Sequence, residues 1–197
     1  MGSQWTRDKV YTKAVKAGYR SRAAYKLLEI NKRHSVIRRD DNVIDLGSSP
    51  GSWLQVLREM TDGIVAGIDL NPVAPIHGVS IYRGDFTNKI MQERLCSGFE
   101  LVNVVVCDAS PKLSGQSSYD QARAIELGEK ALEFAAGVLK KGGNFVVKSF
   151  QGELFPGLMN ECRRNFYSVK AYRVNASRRG SSEVYIIAKN FKGGNED

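Results

Sequence analysis

Two glycines, Gly47 and Gly51, stand just after the apolar run Val43-Ile44-Asp45-Leu46. A buried strand that ends in such a turn, with a helix starting directly after it, is where an open parallel sheet holds a cofactor. Neither glycine carries a Cβ, so the backbone can approach a ligand closely. The spacing is G-x-x-x-G with Pro50 inside. It is neither the G-x-G-x-x-G of a pyrophosphate binder nor the lysine-bearing phosphate loop. A turn that offers glycine and no cation suits a cofactor without phosphates, and S-adenosylmethionine is the common one. The plainer alternative is an ordinary strand-to-helix turn.

Three aspartates fall where neighbouring strands should end. Asp69 closes Ile64-Val65-Ala66-Gly67-Ile68, Asp85 follows the third strand, and Asp108 ends the apolar run from Leu101 to Cys107. A carboxylate at Asp69 suits the two hydroxyls of an adenosine ribose and disfavours a 2′-phosphate. Asp85 is placed to reach an adenine amino group. Each of the three could instead be a helix cap. Lys148 lies near the end of Gly143-Asn144-Phe145-Val146-Val147-Lys148, where a buried strand should stay apolar. A lysine there needs a partner, and Glu183, which opens the last strand, is the expected one. Lys26 sits beside the apolar stripe of the first predicted helix, where a surface role or a salt bridge is the default.

These residues need a scaffold of alternating elements. Short apolar runs at 42–46, 64–68, 79–82, 101–107 and 143–148 read as strands. Helices are expected over 22–32, capped by Ser21, and over 55–60, 89–95, 121–140 and 154–164, with Gly142 and Gly143 ending the long one over 121–140. Alternation of this kind implies an α/β, doubly wound, mostly parallel sheet. Residues 167–174 and 183–189 are also strand-like, and the segment between them is too short for a crossover helix. They should form a terminal antiparallel hairpin, giving seven strands in one Rossmann-like domain. A dehydrogenase would instead continue with parallel units.

The chain of 197 residues suffices for a single domain with a substantial core. No apolar run approaches the ~20 residues of a membrane span, and the N-terminus lacks the apolar stretch of a secretory signal. A cytoplasmic protein with no membrane association is expected. Cys96, Cys107 and Cys162 are too scattered for a zinc site or a disulfide framework, and with only two histidines no metal site is expected. The net charge of +8 is uneven: residues 1–39 hold eleven Lys or Arg against Asp8 and Glu29. A second stretch, Cys162 to Ser182, holds six basic residues and no acid. Localised basic zones on a near-neutral body point to a polyanion, nucleic acid first; solvated surface charge is the alternative. Candidate RNA contacts are Arg7, Lys9, Lys13, Lys16, Arg20, Arg22, Arg178 and Arg179. The expected organisation is a basic segment over 1–20, one domain over 21–191 and a frayed tail over 192–197.

Several separated motifs, in order, resemble the FtsJ/RrmJ family of RNA ribose 2′-O-methyltransferases. They are Ser21-Arg22-Ala23-Ala24-Tyr25-Lys26-Leu27, the turn from Asp45 to Trp53, Asp108-Ala109-Ser110-Pro111 with Ser114-Gly115, Gly143 to Gly152, and Ser177 to Tyr185. The resemblance runs from about residue 20 to residue 190. It implies a catalytic set that falls by motif position on Lys26, Asp108, Lys148 and Glu183. It further implies that Gly51, Trp53, Asp69, Asp85 and Asp108 line an S-adenosylmethionine site, to which the turn reading adds Gly47. The implied substrate is large-subunit ribosomal RNA, a uridine in particular; transfer RNA comes second and an mRNA cap a distant third. No obligate protein partner is expected.

The expected reaction is an in-line displacement by a ribose 2′-oxygen. Lys148 as general base must be neutral, against a reference pKa of ~10.4. Asp108 and Glu183 would raise that value, while burial and Lys26 would lower it. The alternative keeps Lys148 charged, to steer the oxygen, and gives the proton to Asp108. Two other classes compete. An NAD oxidoreductase needs the missing G-x-G-x-x-G turn. A non-catalytic RNA-binding or ribosome-assembly protein would be favoured by loss of any of the four residues, and all four are intact.

Overall fold

The computed structural model describes residues 9–111, 114–115, 117–177 and 180–193. Seven strands form one sheet in the order β3-β2-β1-β4-β5-β7-β6. They are β1 (Val43–Leu46), β2 (Val65–Asp69), β3 (Val79–Arg83), β4 (Val102–Cys107), β5 (Leu139–Phe150), β6 (Phe166–Tyr172) and β7 (Glu183–Phe191). β1 to β5 run parallel, while β7 pairs antiparallel with both β5 and β6. The expected terminal hairpin is present, and its second strand inserts between β5 and β6. Reversing β7 matters for the site. Its first residue, not its last, falls at the edge where the parallel strands end.

Helices cover both faces, as the alternation predicts. α1 (Lys9–Lys16), α2 (Ala23–His34) and α3 (Ser52–Met60) precede and follow β1, and α4 (Lys89–Cys96), α5 (Ser117–Val138) and α6 (Phe155–Asn165) come later. One core, beneath α2 and α3, joins Leu27, Ile30, Trp53, Leu57, Val104, Val146 and Ile187. The other, beneath α5 and α6, joins Ile44, Ile68, Val105, Phe145, Leu132, Leu158 and Ile186. Consecutive β5 residues alternate between the two, as side chains on a pleated strand must. That alternation decides which residues can meet. Lys148 pairs in register with Tyr185, and Phe150 with Glu183, so these four share one face.

Helix α1 is unexpected, and several boundaries differ from expectation, with α3 and α5 each beginning earlier, at Ser52 and Ser117. α5 ends at Val138 and does not reach residue 140, since Leu139 already pairs with Val102. The register then jumps to Val104 opposite Asn144, and residues 140–143 bulge out with Gly142 at a φ of 82°. Gly142 therefore turns a strand and does not end a helix. α2 begins at Ala23, one residue later than expected; Ser21 Oγ accepts from the Ala23 N–H at 3.2 Å. Of the expected tail, residues 194–197 lie outside the described residues, as do Arg7, Arg178 and Arg179.

Candidate active site

Five parallel strands deliver their carboxyl ends to one cleft of about 760 Å³. Its walls include Gly47 and Ser49 after β1, Asp69 and Leu70 after β2, Asp85 and Phe86 after β3, Asp108 and Ala109 after β4, and Lys148 from β5. β1 and β4 are neighbours in the sheet while their chain connections depart to opposite sides. This is the switch point at which doubly wound sheets bind ligands.

Gly47 cannot be another residue. Its φ is 76°, and an added Cβ would lie 2.5 Å from that of Ala109. Gly51, at φ 106°, caps α3. The space beside its Cα is filled from behind, where Arg20 Nη1 would lie 2.4 Å from an added Cβ. Gly51 is therefore bare to admit a side chain of the protein. Trp53 lies in the first turn of the same helix. It is buried, with its indole N–H donating to the Ala23 carbonyl at 2.8 Å.

Asp69 ties the glycine turn to the next loop. One oxygen accepts from Ser49 N–H at 2.9 Å and the other from Asn71 N–H at 2.7 Å. Asp85 accepts from the Thr87 N–H and hydroxyl at 2.9 and 2.8 Å, which folds its loop into an Asx turn. Both carboxylates still line the cleft.

The four residues singled out for chemistry form two ion pairs. Lys26 Nζ meets Glu183 Oε1 at 2.7 Å and Oε2 at 2.8 Å. Lys148 Nζ meets Asp108 Oδ1 at 3.3 Å and donates to the Asp108 carbonyl at 2.5 Å. Glu183 is thus the partner of Lys26, not of Lys148 as the sequence suggests. The register explains this, since Glu183 lies opposite Phe150, two residues beyond Lys148. Ser177 Oγ donates to the same Glu183 oxygen, Oε1, at 2.6 Å.

Tyr185 joins the two pairs and was not anticipated from sequence. It is fully buried and its hydroxyl donates to Asp108 Oδ1 at 2.6 Å. Lys26 Nζ lies 5.7 Å from its ring centre. Burial, then the Asp108 and Glu183 carboxylates, push its hydroxyl well above the ordinary phenol range, so it stays a donor. The sequence held a usable signal. Tyr185 is two residues from Glu183 on a strand, and i, i+2 side chains share a face.

Asp45, inside β1, is fully buried, and neither carboxylate oxygen has a hydrogen-bond partner. Burial first, then Asp108 and Asp69, raise its carboxyl well above the usual range. Cys107 is pushed up to about 12 by burial, so its thiol is no nucleophile despite adjoining Asp108. Among the described residues no group of three or more potential ligands could hold a metal, and no helix is long and apolar enough to cross a membrane.

Of the basic residues proposed to meet RNA, Lys13 and Lys16 are exposed on α1. Lys9 opens the same helix. Arg22 caps α2 and is half-buried. Arg20 is engaged with three backbone carbonyls, those of Pro50, Ala74 and Pro75.

Sheet order, cleft and strand-end carboxylates together define a doubly wound methyltransferase domain. Residues 19–191 match the model of the FtsJ-like methyltransferase family. A curated relative from Methanoculleus marisnigri, named ribosomal RNA large subunit methyltransferase E, is 67% identical over 198 residues, covering 100% of this chain and 98% of its own. A solved chain from Plasmodium falciparum, assigned as a ribosomal RNA methyltransferase, superposes with a TM-score of 0.80 at 26% identity, covering 89% of this chain and 100% of its own. A Streptococcus mutans chain solved with S-adenosylhomocysteine shares the fold at a TM-score of 0.54 and 12% identity, covering 86% of this chain and 96% of its own. The chain belongs to the FtsJ-like methyltransferase family, and the cofactor expected from its sequence is S-adenosylmethionine. The residues fit that group. The cleft has a bare turn at Gly47, no lysine or arginine within that turn, and three carboxylates, Asp69, Asp85 and Asp108, to face a cationic ligand.

Proposed function

We propose that the protein methylates the 2′-hydroxyl of a ribose in RNA, with a uridine of large-subunit ribosomal RNA as the preferred target. The observation that carries this reading is the pairing of Lys148 with Asp108 on the cleft wall, backed by Tyr185 and the Lys26–Glu183 pair. Support for RNA comes from the names of the relatives and from the basic N-terminal segment.

Asp69 is assigned to the cofactor ribose, Asp85 to the adenine end and the Gly47 turn to the floor between them. When bound, S-adenosylmethionine supplies a methyl group made electrophilic by a positive sulfur. The protein's own task is to align a weak nucleophile and manage its proton. Lys148 is the residue within reach of a hydroxyl entering the cleft. As an ammonium it orients the oxygen through a hydrogen bond while Asp108 receives the proton; as a neutral amine it takes the proton itself. Its ammonium nitrogen lies against both the carbonyl and the carboxylate of Asp108, so the two side chains are already paired. Tyr185 fixes the Asp108 carboxylate, and Lys26 and Ser177 fix Glu183 beside it. A positioned proton acceptor contributes about 10²–10⁴-fold, and alignment up to about 7–11 kcal/mol.

The deciding experiment incubates the protein and labelled S-adenosylmethionine with ribosomal subunits from cells lacking it, then maps ribose methylation. A single large-subunit uridine should acquire the label. Label on transfer RNA alone would replace the substrate, and label on a base would overturn the proposed chemistry.

A further inference from the structure

The cofactor cleft has one wall with little architecture of its own. Residues 70–78, Leu70-Asn71-Pro72-Val73-Ala74-Pro75-Ile76-His77-Gly78, connect β2 to β3 and are mostly exposed. Leu70 and Asn71 line the cleft. Pro72 and Pro75 have no N–H to give. Only Val73 and Ile76 pack against the core beneath α2 and α3.

What crosses to this loop is Arg20. Its Nη1 donates to the carbonyls of Pro50 at 3.0 Å and Ala74 at 2.8 Å, and its Nη2 to that of Pro75 at 3.0 Å. One planar guanidinium thus bolts the glycine turn to the β2–β3 loop, a geometry that a lysine ammonium does not reproduce. Room for it exists because Gly51 has no side chain, and Val73 closes the same gap, its Cγ1 at 3.0 Å from an added Gly51 Cβ. Arg20 is itself held from below. Its N–H donates to Gln55 Oε1 at 2.9 Å, and Gln55 Nε2 donates to the Gly18 carbonyl at 3.0 Å. Tyr19 donates to Glu59 at 2.7 Å, and the Ser21 and Ser52 hydroxyls meet at 2.7 Å. The segment that follows the basic helix α1 is therefore stitched to α3 along its length, from Ser52 to Glu59.

We infer that Arg20 is a positioning residue for the cofactor site, a strut that holds the β2–β3 loop against the glycine turn, and not a contact to RNA phosphate. The inference rests on the cleft being the S-adenosylmethionine site. It also connects the basic arm to the cofactor wall, since one side chain near the end of that arm sets the wall's position.

The test uses the full chain with Arg20→Lys and Arg20→Gln. Titration calorimetry with S-adenosylhomocysteine, without RNA, should show binding at least fivefold weaker in both, the retained charge of lysine giving no rescue. Hydrogen exchange should quicken at Asn71, Val73, Ala74 and Ile76 and stay unchanged in the β4 and β5 amides. RNA affinity at fixed salt, and its salt slope, should match wild type. Product binding within twofold of wild type in Arg20→Lys, or loop exchange unchanged, would overturn the inference. So would loss of the whole fold in both variants, since the strut would then be holding the domain and not one loop. If the wild type itself fails to bind S-adenosylhomocysteine, the fault lies with the cleft assignment and not with Arg20.

Discussion

Lys148, Asp108 and Tyr185 carry the sharpest tests at the level of single residues. Lys148→Ala should abolish methyl transfer and leave S-adenosylhomocysteine binding close to wild type. Lys148→Arg separates two roles, because arginine keeps a charge but cannot release a proton. Measurable turnover in a filter assay would assign Lys148 to steering, and its loss would assign it to proton transfer. Tyr185→Phe removes a donor from the half-buried Asp108 carboxylate and should cost about 1 kcal/mol in urea unfolding, with a lower rate of transfer. Asp45 makes a different prediction. Below pH of about 3.8 its carboxyl is protonated whether the chain is folded or not. Above that, the unfolded chain gives up the proton while the buried group keeps it, so this residue makes stability fall as pH rises. Asp45→Asn should accordingly gain on wild type in Tm as pH climbs from acid towards neutral, with the two converging at low pH. A pH-independent difference would mean that Asp45 is solvated or paired in solution.

Among the elements, α2 does more than present Lys26. Glu29 on the same helix accepts from the Tyr172 hydroxyl at 2.8 Å and from the Asn175 N–H and side-chain amide, both at 2.9 Å. It anchors the start of the β6–β7 loop, which brings Ser177 onto Glu183. Glu29→Ala should free that loop, quickening amide exchange at Asn175 to Ser177 and lowering turnover, with S-adenosylhomocysteine affinity unchanged. The alternation of strands and helices was legible because periods of 2 and 3.6 leave different apolar patterns. The early start of β5 was not. Leu139 continues the apolar stripe of α5, and only pairing with Val102 makes it a strand residue. The exchange of partners between the two lysines was hidden for a related reason. It depends on the β5–β7 register, which places Tyr185 and not Glu183 opposite Lys148.

For the molecule as a whole, the basic surplus of the first 39 residues is smaller in effect than its count suggests. Lys26 is paired with Glu183, Arg20 with three carbonyls and Arg39 with Asp62. The exposed charge of α1 remains. Neutralising Arg7, Lys9, Lys13 and Lys16 together should weaken RNA binding and flatten its salt dependence, each lost phosphate contact removing about 0.7–0.9 from the log–log slope. An unaltered slope would make α1 ordinary surface.

The amino-acid sequence alone determined the layer architecture, the terminal antiparallel strand, the glycine turn and the identities of the four residues at the site. Each of these rests on local periodicity, turn chemistry or motif order, which a linear chain displays. The tertiary structure alone decided which lysine meets which acid, that Tyr185 stands between the pairs, and that Arg20 fills the space beside Gly51 and meets the β2–β3 loop. Those facts depend on sheet register and on contacts between residues far apart in the chain, and no local pattern encodes either.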